Sequence, residues 1–318
     1  MTPKAKLQIQ NSPLLFLVGP TASGKTRLGV KLSTRIGGEI VSMDSMQIYR
    51  TLDIGTGKPA KDEQAQARHH LLDIKDPHET YSAAQWAHDA GAAIKDIRKR
   101  GKVPIIVGGT GFYARALLQP ETLAATPPNE ELRAQLGAQL QQHGAQWLHW
   151  QLRVLDAVAA ERLEVGDTRR VIRAIEVAAS GQKSAADDLI PAPGFQPLVF
   201  GLEWPREILY RRIEDRIEQM LDSGFMDELQ RLVHLHLPPN ATALQSLGYR
   251  QMSPALGNAR CFDQCLELWK RDTRRYAKRQ MTWFRHQLPT QWMKVDDETN
   301  LSETADSIVF EYSKMAPS

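Results

Sequence analysis

The chain has 318 residues, with 40 Lys and Arg against 37 Asp and Glu, a formal charge of +3, and 42% hydrophobic and 24% charged residues. This composition excludes a disordered chain or a collagen-like one, and the length fits one large domain with an insertion, or two domains. Two cysteines exclude a disulfide framework and point to a reducing cytoplasm. No apolar run approaches the roughly 20 residues of a membrane span, and Leu14 to Val18 is shorter than a signal-peptide core of about 7–15 residues, so a cytoplasmic protein with no membrane partner is expected.

In chain order, LLFLVG (14–19) reads as a buried strand running into a Gly-rich turn. A helix with Leu28, Val30, Leu32 and Ile36 follows and ends at Gly37-Gly38, before a second apolar strand, EIVSMD (39–44). A Gly- and Asp-rich loop, DIGTGKP (53–59), and HHLLDI (69–74) precede a helix from Ser82 to Arg100. Ser82 is its expected N-cap, and Lys99 and Arg100 suit the negative C-terminal end. VPIIVGG (103–109) is a third strand. Continuous apolar strands alternating with helices predict a parallel α/β sheet covered on both faces. After Leu118 the pattern turns helical, as at Leu132, Leu136 and Leu140, until the Pro/Gly-rich IPAPGFQP (190–197). PLVFGLEW (197–204) returns to strand character, and WMKVDD (292–297) fits a short last strand. The expected organisation is therefore a core of 1–118 and 196–318 with a helical insertion, 119–195.

The sharpest signal is Gly19-Pro20-Thr21-Ala22-Ser23-Gly24-Lys25-Thr26, which satisfies G-x-x-x-x-G-K-[ST] between a strand and a helix. Successive backbone N–H groups and the helix N-terminus make a phosphate cradle, Lys25 adds charge, and the Thr26 hydroxyl is placed to hold Mg²⁺. The pattern defines a polyphosphate site without naming the polyphosphate. Asp44 ends the second strand, where ligands of parallel sheets collect, as a metal holder, a general base or a mere N-cap. Thr110, in the Gly108-Gly109-Thr110-Gly111 turn, is either a phosphate donor or part of a tight loop.

Two basic segments follow. On a helical wheel of 268–286, Arg271, Arg274, Arg275, Lys278, Arg279 and Arg285 lie opposite Trp269, Tyr276, Trp283 and Phe284, with Asp272 as the one acidic neighbour within the segment. Such a stripe fits a phosphate backbone, against the alternative of a solvated face. Asp167, Thr168, Arg169, Arg170 and Arg173 form a smaller group that reads first as an ordinary capped helix surface. His69-His70 and the Cys261/Cys265 pair lack metal-site spacing.

Taken in order, GPTASGKT (19–26), DSMQIYR (44–50), DIGTGKP (53–59), HHLLDI (69–74), VGGTGFY (107–113), DTRRVIRAIEV (167–177), RRIEDRIEQML (211–221), LGYRQM (247–252) and AKRQMTWFR (277–285) resemble the bacterial tRNA dimethylallyltransferase (isopentenyl transferase) family. The resemblance spans Phe16 to about Phe284. It implies a P-loop-type fold that transfers a dimethylallyl group from its diphosphate to N6 of adenine 37, beside the anticodon of tRNAs reading codons that begin with U, with Mg²⁺ required. It further implies that Gly19 to Thr26 hold the donor's diphosphate and that Asp44 is the general base. Thr110 would meet the bridging oxygen, and Arg216 would lie near the diphosphate. Ser45, Met46 and Gln47 would sit beside the flipped base. The tRNA-contacting positions it implies are Arg133; Thr168, Arg169, Arg170, Val171 and Ile172; Gln245, Ser246, Leu247, Gly248, Tyr249 and Arg250; and Lys278, Arg279, Gln280, Met281, Thr282, Trp283, Phe284 and Arg285. A monomer is expected. The chain departs from the pattern at Gly57, where Ala is common, at Ile175, where Leu is usual, and at QKSAADD after Gly181; it has no C-terminal zinc-finger spacing. Rival readings are an ATP-dependent kinase, prenyl transfer to free AMP or ATP, and a non-catalytic RNA-binding nucleotide switch.

Overall fold

A computed structural model describes residues 12–119, 129–181, 196–297 and 299–315. The Pro/Gly-rich stretch at 190–195 and QKSAADD lie outside the described residues. The described chain forms two compact units, 1–118 with 191–318, and 119–190.

Among the described residues the first unit is built on six strands, β1 (Leu14–Val18), β2 (Gly38–Met43), β3 (His69–His70), β4 (Val103–Gly108), β5 (Pro197–Glu203) and β6 (Thr290–Lys294), and its helices include α2 (Lys61–Gln66) and α11 (Tyr249–Gly257). They lie in the order β3-β2-β4-β1-β5-β6 and every pair is parallel. Every residue of β1 is fully buried, as a strand covered on both faces must be. The sheet resumes at Pro197 and closes with a late strand, as the apolar segments predict. The two-residue β3 escaped the sequence reading because His69-His70 carries no apolar run.

One face of the sheet packs Phe16, Val41 and Ile106 against α3 (Ala83–Lys99), α4 (Gly111–Leu118) and Phe284. The other packs Leu15, Leu17 and Ile105 against α1 (Lys25–Ile36) and the C-terminal helix, Leu301–Met315. The Ser82 cap is present: its side chain accepts from Gln85 N–H while the Gln85 side chain accepts from Ser82 N–H. Gly37 ends α1 in the left-handed conformation (φ 65°) that glycine adopts without strain.

Among its described residues the second unit holds four helices, α5 (Glu130–His143), α6 (Ala145–Leu155), α7 (Ala157–Arg162) and α8 (Thr168–Ala179), around Leu136, Leu148, Leu152, Val171 and Ile175. Glu176 is buried inside it and accepts from Asn129 N–H, Arg133 and Arg173. Burial pushes its carboxyl up, but these donors outweigh that and hold it below the usual range.

At the amino ends of the strands, the nearly buried Glu39 is clamped by both terminal nitrogens of Arg100 and lies 2.7 Å from His70 Nε2. The Arg100 bonds, opposed by burial and assisted by His70, pull the Glu39 carboxyl from 4.5 down to about 2. A depressed carboxyl contributes stability that is complete above its unfolded value and lost as pH falls toward the folded one. Replacing Glu39 with Gln should therefore cost on the order of 2–3 kcal/mol at neutral pH. It should also flatten the loss of stability between the two values, as read from urea melts across that pH range.

Candidate active site

The carboxyl ends of β2, β4, β1 and β5 lie side by side, and the turns that leave them carry Asp44, Gly109-Thr110, Gly19 and Trp204. Asp44, Thr110 and the start of the Gly19–Thr26 loop therefore meet at one edge because parallel strands end together.

The cradle Gly19–Thr26 turns sharply between β1 and α1. Gly19 has φ 153°, and Ala22 occupies the left-handed region at φ 61°, uncommon for a residue with a Cβ. Its carbonyls find side-chain partners. Lys25 Nζ donates to Pro20 O at 3.1 Å, Arg212 Nε to Ala22 O at 3.1 Å, and Trp204 Nε1 to Ser23 O at 3.0 Å. Arg212 stacks on the Trp204 ring, 4.1 Å from its centroid. Arg212 belongs to α9 (Arg206–Asp222), 190 residues along the chain from Ala22. The N–H of Thr21 is taken by Gln280 Oε1 (2.9 Å) and so does not face the cradle. The Ser23 hydroxyl is buried without a hydrogen-bond partner, and the Thr26 hydroxyl makes no hydrogen bond among the described residues. Both are free to meet oxygen or cation chemistry at the cradle.

Asp44 does not cap a helix. Its Oδ1 accepts from Met46 N–H at 2.9 Å within a turn. Thr110 Oγ1 accepts from Ser45 N–H at 3.0 Å and lies 3.4 Å from the Ser45 hydroxyl, joining the ends of β2 and β4. Gln47 takes the Ser42 hydroxyl on its oxygen and donates to Gly57 O at 3.0 Å, and Arg216 donates to the same carbonyl at 3.2 Å. At Gly57 a Cβ would overlap the Arg216 guanidinium, so the departure from Ala matches the close approach of that side chain.

Charge couples these groups. Burial lowers Lys25 from 10.5 to about 8, while Asp44 pulls it up and Arg216 pushes it down. Burial also lowers Arg216, again opposed by Asp44. The phenols of Tyr113 and Tyr276 are raised, by burial first and then by the Asp44 charge, and stay neutral. Asp44 is thus the carboxylate whose field reaches Lys25, Arg216, Tyr113 and Tyr276.

Glu228, in α10 (Phe225–Val233), is a member of this assembly that sequence reasoning missed. Its carboxylate, 2% exposed, accepts from the N–H groups of Asp53, Ile54 and Gly55 at 2.7–2.9 Å and from Tyr249 Oη at 2.6 Å. It thereby fixes the loop that presents Gly57 O. The DE pair of MDEL gives no signal for this, because its partners lie about 175 residues earlier.

The residues expected at RNA divide by burial. Helix α12 (Phe262–Gln287) exposes Lys278, Arg279, Thr282 and Arg285, leaves Met281 and Trp283 partly covered, and buries Gln280 and Phe284. The cations of this helix find more acidic partners than Asp272. Arg274 pairs with Glu214, Arg285 with Glu203 and Lys270 with Glu218, while Arg271 and Arg275 share Asp272. In the 245–250 segment, Gln245 and Arg250 are exposed and Leu247 is partly covered. Ser246, Gly248 and Tyr249 are buried, so those side chains belong to the core. In the second unit Arg169 and Arg170 are exposed and Thr168 and Ile172 partly so, with Asp167 as the cap. Val171 is fully buried there, and Arg133 is held by Glu176 and Glu130.

A parallel sheet with a strand–turn–helix loop of the G-x-x-x-x-G-K-[ST] pattern and a carboxylate at the neighbouring strand end is the architecture of a P-loop-type enzyme. The sequence model of the family described as IPP transferase matches residues 47–287, about three-quarters of the chain. The chain belongs to that family. It is 42% identical to a tRNA dimethylallyltransferase of Thermomicrobium roseum over 90% of this chain and 87% of the relative. With that of Symbiobacterium thermophilum it shares 40% identity, over 93% and 94%. Among solved structures, the tRNA isopentenylpyrophosphate transferase of Bacillus halodurans superposes with a TM-score of 0.70 at 36% identity, covering 96% and 98% of the two chains. A eukaryotic dimethylallyltransferase described as acting on tRNA gives 0.80 at 25% identity, over 96% and 80%.

Two outcomes are expected. An anion arriving at the cradle raises Lys25 from about 8, so inorganic diphosphate binding should take up a proton near pH 8. Its affinity should fall by up to about tenfold per pH unit above that. Calorimetry in buffers of different ionisation heat checks this, and a buffer-independent heat at pH 8 contradicts it. Replacing Glu228 with Leu strands the buried Tyr249 hydroxyl and three part-buried loop N–H groups and should cost on the order of 3 kcal/mol in denaturant unfolding.

Proposed function

We propose that the protein transfers the dimethylallyl group of dimethylallyl diphosphate to N6 of adenine 37, next to the anticodon of tRNAs that read codons beginning with U, releasing diphosphate. The observation that carries this reading is one strand-end carboxylate, Asp44, set beside a cationic phosphate cradle, with Thr110 hydrogen-bonded between the two strand ends. The family membership and the tRNA dimethylallyltransferase relatives support the choice of donor and acceptor.

An exocyclic adenine amine is a weak nucleophile because its lone pair is delocalised into the ring. As the N6–C bond forms, Asp44 accepts the N6 proton. The allylic C–O bond breaks with cationic character, and its electron pair leaves with the diphosphate. Lys25, Arg216 and the cradle N–H groups stabilise the charge that grows there, and Thr110 lies where it can donate to the bridging oxygen. Thr26, with its free hydroxyl, would hold Mg²⁺ together with the diphosphate oxygens, the usual mode for a cation that keeps few protein ligands. Among the described residues no cluster of His, Cys, Asp or Glu forms a separate metal cage. Bound Mg²⁺ would add charge neutralisation to the leaving group.

A stacked adenine cannot reach Asp44, so the base must turn out of the loop at a cost of a few kcal/mol. Exposed Lys278, Arg279, Arg169, Arg170 and Arg250 offer phosphate contacts that offset this cost.

The deciding experiment incubates the protein with Mg²⁺, allyl-labelled dimethylallyl diphosphate and unmodified tRNA, with AMP in parallel. Label should enter tRNA and not AMP, and should vanish when adenine 37 is guanine. Asp44→Asn should lower kcat about 10²–10⁴-fold with little change in donor KM; an unimpaired rate would remove Asp44 from the role of base.

A further inference from the structure

The resemblance places Gln280 among RNA contacts, but its side chain is 7% exposed and spends its whole amide inside the protein. Gln280 Nε2 donates to Gly109 O at 2.9 Å, and Oε1 accepts from Thr21 N–H at 2.9 Å. These two partners sit in the turns that end the neighbouring strands β4 and β1. One side chain therefore ties the first turn of the cradle to the turn that carries Thr110. The fit is close on both sides. A Cβ at Gly109 would overlap the Gln280 amide nitrogen, and one at Gly111 would overlap the Trp283 ring, one helical turn further along α12. Gly109 and Gly111 of the GGTG turn are thus needed where α12 seats on it.

We propose that Gln280 is a positioning residue for the diphosphate site. By fixing the Thr21 peptide against the Gly109 carbonyl, it sets the spacing between the cradle N–H groups and Thr110. Its influence falls on the diphosphate-bearing substrate and not on the RNA. Gln280 touches neither reacting group and acts through Thr21 and Gly109. The proposal rests on reading Gly19 to Thr26 as the diphosphate cradle. The exposed residues on either side of it in sequence, Arg279 and Thr282, remain free to face an RNA backbone, so the inward and outward faces of one helix serve different substrates.

The test compares Gln280→Met, which keeps length and removes both hydrogen bonds, with Gln280→Glu. The latter keeps the acceptor for Thr21 N–H but sets a carboxylate against Gly109 O. Affinity for inorganic diphosphate with Mg²⁺ is measured without RNA, and KM is measured separately for dimethylallyl diphosphate and for tRNA. Gln280→Met should weaken diphosphate and raise the donor KM by about tenfold each, the order expected for a lost pair of buried hydrogen bonds. The tRNA KM should stay within about twofold. Gln280→Glu should weaken diphosphate further, because it adds negative charge beside the cradle. Circular dichroism shows whether each variant is folded, and if Gln280→Met is not, Gln280→Glu carries the same comparison. A raised tRNA KM with unchanged diphosphate affinity overturns the proposal and makes Gln280 an RNA contact. Wild-type protein that fails to bind diphosphate overturns the reading of the cradle instead. Diphosphate binding that depends on Gln280 in a protein that does not prenylate tRNA would leave the positioning role standing and remove the proposed activity.

Discussion

A turn whose peptide N–H groups are to face an anion, as proposed for Gly19–Thr26, must send its carbonyls elsewhere, and those carbonyls cannot be left buried and unpaired. This constraint organises much of the larger unit. Pro20 O is taken by Lys25, Ala22 O by Arg212 and Ser23 O by Trp204. Each of these donors is delivered by a different part of the fold: the helix that the turn opens, α9, and the residue after β5. The left-handed Ala22 is tolerated because both flanks of its turn are fixed in this way. Satisfying the backbone of eight residues therefore recruits elements from nearly 200 positions away.

The same logic extends one layer outward. Glu228 holds the 53–55 backbone, that loop offers Gly57 O to both Gln47 and Arg216, and Arg216 is electrostatically tied to Asp44. Charged groups around the candidate site are positioned by neutral peptide groups more than by direct ion pairs. A direct Asp44–Arg216 or Asp44–Lys25 bridge would neutralise the charges that substrates need. Lys25 and Arg216 each donate to a peptide carbonyl instead, while remaining within the field of Asp44.

The sequence made the local features legible. The cradle, the glycine stop after α1, the Ser82 capping box and the apolar strands all depend on residues a few positions apart. Asp44 and Thr110 were legible as strand-end residues. Arg212, Trp204, Glu228 and the inward role of Gln280 were not, because nothing in their neighbourhoods reveals a partner more than 150 residues distant. The cationic stripe was overstated for the same reason: its acidic partners Glu203, Glu214 and Glu218 lie on other elements. Val171, Tyr249 and Phe284 fall in segments expected at RNA, yet they are core residues.

The two-residue β3 has a consequence of its own. A sheet edge offers unpaired N–H and C=O groups that can template another chain, and its hazard grows with its length. Here the outer strand is too short to serve as a template, and the backbone beside it is already engaged by Ile40 N–H to Arg68 O at 2.9 Å. The clamp of Glu39, Arg100 and His70 adds charge at the same border. The small strand thus covers the β2 edge of the sheet while offering almost no edge of its own to a second chain.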